Sequence, residues 1–173
     1  MKSKKEIKLY NMLLPIWLLW IFPITWLFII PLTFLTDSAV LMIALKLLKQ
    51  NEIKKKLKKV ILKVWLIGFV ADIPGLFMMI ITQFVPHSDT GFLNWWYKNN
   101  MANVIAFNPF GNIFAFLYVL CAIGITFVLI YFLNLKISLN NIDMNVKVKR
   151  RVSLALSVFT TPWLFMFPSG ILY

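Results

Sequence analysis

Two aspartates stand where a carboxylate is expensive. Asp72 is the only charged residue between Lys63 and His87, and Ile73-Pro74-Gly75 follow it directly. Asp37 lies in a stretch from Lys8 to Lys46 that carries no other charge. An aspartate at mid-membrane costs about 2.5–3.5 kcal/mol on insertion scales, and such residues usually mark a pathway or a binding site. Pro74 removes a backbone donor and Gly75 weakens the helix further. A carboxylate beside an opened helix is a way to build an ion or substrate site in a transporter. The structural alternative is a kinked helix whose aspartate bonds to a neighbouring Thr, Ser or Trp. For Asp37 the structural alternative is a cap at the outer end of a span, with Thr36 and Ser38 supplying hydroxyls beside it. If both carboxyls faced one cavity, two like charges would resist being ionised together, and the pair could hold a proton or a monovalent cation. Asp37 and Asp72 could also form an acid–base dyad of an intramembrane enzyme, but the chain lacks surrounding motifs for that chemistry.

Other chemistry is missing from the sequence. His87 is the sole histidine and has one carboxylate, Asp89, close by in sequence, so no metal site is expected. No C-x-x-C, H-E-x-x-H, G-x-G-x-x-G or P-loop pattern occurs. No catalytic residue, metal or cofactor is therefore assigned. Cys121 reads as a small packing residue.

The elements that must hold the aspartates are written in the composition. Of 173 residues, 61% are hydrophobic and 14% charged, with a mean hydropathy of +0.81. A soluble domain is about half apolar and about a quarter charged, so this chain cannot clothe its apolar surface in polar residues. Disorder is excluded by the apolar content, and a disulfide scaffold by the single cysteine. The expectation is an all-α, polytopic integral membrane protein, a single membrane domain over 1–173.

Five spans are expected, at about 10–30, 32–48, 60–85, 112–133 and 152–172. Pro31 is taken as the break between the first two, because proline suits the first turn of a new helix. An outer loop covers 86–111, and basic loops cover 49–59 and 134–151. The net charge of +12 is one-sided under this parse. Lys2, Lys4, Lys5 and Lys8, the lysines from Lys46 to Lys63, and Lys136 to Arg151 fall on one face, leaving only Lys98 on the other. Basic residues gather on the cytoplasmic side, so the N-terminus is expected inside and the C-terminus outside. The first apolar stretch reads as an uncleaved signal anchor, and the location as a prokaryotic plasma membrane.

Lys54, Lys55, Lys56, Lys58 and Lys59, with Arg150 and Arg151, could contact anionic lipid headgroups. Ile53, Leu57 and Ile61 recur at helical spacing, which suggests a helix lying on the inner leaflet. Nucleic acid is not an expected partner, since the basic groups all adjoin membrane spans. Trp95, Trp96 and Tyr97 form either an interfacial anchor or a lid over an outward cavity, with Asn99, Asn100, Asn103 and Asn108 as polar groups. Trp26 to Pro31 and Trp163 to Pro168 share a Trp-Leu-Phe start and a proline end, a trace of a repeat or a chance likeness in an apolar chain. The expected function is a small membrane subunit handling an ion or small solute, as a homo-oligomer or with a membrane partner. The alternative is an accessory, assembly or immunity factor acting through its basic loops or aromatic outer loop. An intramembrane enzyme is the third reading.

Overall fold

The computed structural model describes residues 23–84 and 91–168, and these are all-helical, without strands. The helices are α1 (Pro23–Leu47), α2 (Ile53–Phe84), α3 (Phe92–Tyr97), α4 (Asn103–Phe107), α5 (Ile113–Leu133) and α6 (Val146–Thr160). Among the described residues, three segments are long and apolar enough to cross a membrane: Ile24–Leu47, Ile53–Phe84 and Ile113–Ser138. Their outer faces carry exposed Leu27, Phe28, Leu66, Phe77, Leu117 and Phe132, as suits a bilayer.

The expected hairpin at Pro31 does not form. Helix α1 runs straight through it to Leu47. Pro31 leaves one carbonyl, that of Leu27 four residues back, without its helical donor, a loss an apolar helix can carry. Thr33, Thr36 and Ser38 donate back to the carbonyls of Ile30, Leu32 and Phe34 in the turns around it. Asp37 therefore sits mid-helix and caps nothing. The expected first span, 10–30, lies mostly outside the described residues, as do Lys2, Lys4, Lys5 and Lys8.

Helix α2 has 32 residues and begins at Ile53, ahead of the expected 60. Lys54 to Lys59 are its opening turns, so the separate surface helix is not formed. Nothing between 59 and 60 can stop the helix, and Ile53, Leu57 and Ile61 pack on the same core as Leu41, Leu45 and Val64. Helix α5 fits the expected fourth span. Asn112 caps it by accepting from the Phe114 amide at 2.8 Å, and a π-turn at Asn134–Ser138 extends it.

The expected fifth span also changes. Helix α6 ends at Thr160, and a 3-10 turn follows at Trp163–Met166. Pro162 forces the residue before it away from helical geometry, and Thr161 takes φ −58°, ψ 141°. The end is sealed by Thr160 and Thr161 hydroxyls donating to the Leu156 and Ser157 carbonyls, and by Trp163 Nε1 donating to Val158 at 2.8 Å. Trp26–Pro31 is α-helical while Trp163–Met166 is a 3-10 turn, so the repeat is not one of structure.

At the opposite end, residues 91–111 fold as short helices, not an open loop. Tyr97 donates to the Thr82 carbonyl at 3.2 Å, Gln83 to the Ala102 carbonyl at 3.1 Å and Asn112 to Asn100 at 2.9 Å. Two cores result among the described residues. One joins α1, α2, α5 and α6 near the basic end; the other joins Met79, Ile105, Val119, Ile123 and Phe165.

Candidate functional site

Asp37 precedes Lys46 by nine residues, and Asp72 follows Lys63 by nine. At about 1.5 Å per residue, each carboxyl lies about 14 Å above the last lysine of its helix. Helices α1 and α2 pack side by side and are antiparallel across the turn at 48–52, so the two aspartates share a level. The Asp37 carboxyl rests over Gly68, one turn before Asp72: a methyl group at Gly68 would sit 3.6 Å from Asp37 Oδ2. The two carboxyls are close enough to interact electrostatically.

Both aspartates line one cavity of about 580 Å³ between α1, α2 and the end of α6. Its walls include Trp65, Phe69, Phe110, Phe159, Trp163 and Phe167 and, among the described residues, no Lys, Arg or His. Asp37 is 6% exposed and Asp72 9%, and Asp72 Oδ1 is buried without a hydrogen-bond partner among the described residues. An unsatisfied buried polar atom is costly, and the residue that carries it lines the cavity. Thr160, Thr161 and Pro162 bring the C-terminal end of α6 to the same cavity. That end carries the negative pole of the helix dipole. The cavity is thus apolar in its walls, with two carboxyls and a helix C-terminus among its polar groups.

Pro74 and Gly75 do not open α2, which is continuous through both. Neither lines the cavity. The carbonyl that Pro74 frees belongs to Val70, on the exposed face of the helix. Gly75 is a packing contact: a methyl group there would collide with Thr126 Oγ1 and lie 3.3 Å from the Ala122 carbonyl and 3.2 Å from Phe165. The missing side chain lets α5 and the 163–166 turn close on α2.

Trp95, Trp96 and Tyr97 lie on α3 and do not line the cavity. Trp96 meets Phe114 edge-on with ring centroids 5.5 Å apart, Trp95 is 60% exposed, and partial burial pushes the Tyr97 phenol above its ordinary value of 10.0. Of the described residues in 91–111, only Phe110 reaches the cavity. The basic residues of the described chain, Lys98 apart, gather at one end: Lys54, Lys55, Lys58, Lys59, Arg150 and Arg151 are exposed there, and Lys56 donates to Gln50 at 3.2 Å.

Sequence reasoning missed Trp65, Gly68 and Phe69. They precede Asp72 by seven, four and three residues, the spacing of one helix face, so the signal was present. Thr160 to Phe167 carried no such signal. No family model matches the chain, and no curated protein or solved structure matches it either.

Proposed function

We propose that the protein is a small integral membrane carrier or channel component that moves a cation or small solute past Asp37 and Asp72. The observation that supports this reading most is the placement of two carboxyls at one level, on one cavity without a basic residue among its described walls. Asp72 Oδ1 is buried with no hydrogen-bond partner among the described residues, a cost that a purely structural aspartate would avoid by pairing. In this proposal the basic end of the bundle faces the cytoplasm, following the charge rule for membrane proteins, and its lysines and arginines meet anionic lipid. Pairing with a second copy or a membrane partner is part of the proposal, since the four long helices of the described residues leave little room among them for a continuous path.

The test is flux into liposomes holding the purified protein, driven by a proton or monovalent-cation gradient. Asp72→Asn and Asp37→Asn should each abolish gradient-dependent uptake while leaving incorporation unchanged. Wild-type rates in both variants would remove the proposal. Crosslinking in native membranes checks the assembly, and a clean monomer would strike that part.

A further inference from the structure

We propose that the ligand of the cavity is a lipophilic organic cation, an alkyl- or aryl-substituted ammonium or phosphonium, reaching it sideways from the bilayer. The inference deepens the transport reading and rests on it for movement, though not for binding. Size is the first argument. A volume of about 580 Å³ falls in the range of roughly 300–1,000 Å³ usual for drug-sized ligands. A bare inorganic cation needs a close shell of oxygens. Here the Thr33 hydroxyl oxygen already accepts from Trp65 Nε1 at 3.1 Å, and beyond the two carboxyls and the threonine hydroxyls the wall is mostly aromatic and aliphatic.

The second argument is the kind of wall. Aromatic faces attract organic cations, most strongly where water is excluded. Trp65 is held in place by its Nε1 donating to Thr33 Oγ1 at 3.1 Å. Phe34 and Phe69 brace it edge-on, with ring centroids at 5.9 Å and 5.2 Å. Trp163 is pinned by its bond to the Val158 carbonyl. Fixed indoles beside two carboxyls make a box that selects positive charge on an apolar body. The third argument is access. Leu32, Trp163 and Leu164 line the cavity and are 64%, 49% and 55% exposed. Apolar residues exposed at this level would meet acyl chains, which concentrate lipophilic cations.

The test uses the full chain in lipid nanodiscs with tetraphenylphosphonium, and tetraphenylborate as a probe of the same shape and opposite sign. Wild-type protein should bind the cation saturably, and the borate should not compete. Asp72→Asn and Asp37→Asn should weaken binding by on the order of tenfold, and Trp65→Leu by roughly fivefold. Asp72→Glu should recover part of the affinity. Absence of saturable phosphonium binding, equal binding of the borate, or unchanged affinity in both asparagine variants would each overturn the proposal. The comparison of the two probes on wild-type protein needs no variant to fold. Phosphonium binding without flux would strike the transport reading and leave this one standing. Asp72-dependent proton flux without phosphonium binding would do the reverse.

Discussion

The Asp37 carboxyl lies against α2 at Gly68, one turn from Asp72, although the two aspartates are separated by the whole turn between α1 and α2. Two acidic side chains thereby share a cavity that holds no basic lining residue among the described ones. A buried carboxyl oxygen without a hydrogen-bond partner is costly to the fold. Asp72→Asn should therefore raise the thermal stability of the purified protein at neutral pH, by about 1–3 kcal/mol, even as it removes function. Melting in detergent, followed by circular dichroism, checks this. A fall in stability would mean that Asp72 is held by partners.

Gly68, Gly75 and Gly124 separate close packing from ordinary helix. Gly75→Ala drives a methyl group into Thr126 and should cost roughly 1–3 kcal/mol by overpacking. Gly68→Ala meets only Asp37 Oδ2 at 3.6 Å and should fold normally. Gly124 has nothing within 4 Å of the added carbon, and alanine there should stabilise α5 by about 0.5–1 kcal/mol. The order of the three melting temperatures is the readout.

Cys121 tests the membrane placement of α5. The structure puts it on the exposed face, which corrects its expected role as a packing residue. It lies near the middle of the apolar segment Ile113–Ser138. A charged maleimide should fail to label it in intact membranes and should label it after denaturation in detergent. Rapid labelling in intact membranes would place α5 in water.

The turn between α1 and α2 holds two residues in the left-handed region, Lys49 at φ 49° and Glu52 at φ 53°. That conformation costs an L-residue roughly 1–2 kcal/mol. Lys49→Gly and Glu52→Gly should each stabilise the hairpin by up to about 1 kcal/mol. The Glu52 to Lys55 ion pair is 3.1 Å long but exposed, so its loss in Glu52→Gly should offset little of that gain. Thermal melts of the two variants decide the point.

Much of the architecture was legible because its signals are local. The apolar runs announced long helices, and Asn112 marked the start of α5 almost to the residue. Prolines misled. Pro31 and Pro74 read as breaks, yet both ride inside continuous helices, because one lost hydrogen bond is tolerated where the remaining backbone stays satisfied. Pro162 did stop its helix, and the expected fifth span stopped with it. The difference is tertiary: beyond Pro162 the chain turns to pack Phe165 against α2 and α5.

By itself the sequence determined that the chain is helical and apolar, that its basic residues cluster between the long apolar runs, and that Asp37 and Asp72 stand nine residues from a lysine. Those are properties of composition and spacing, and they follow from helical rise alone. Only the tertiary structure decided that the two aspartates share one cavity, that Gly75 serves packing, and that Trp65 and the end of α6 complete the walls. Such facts depend on how helices rotate about their axes and dock. That is set by the sum of many side-chain contacts, and no short stretch of sequence encodes it.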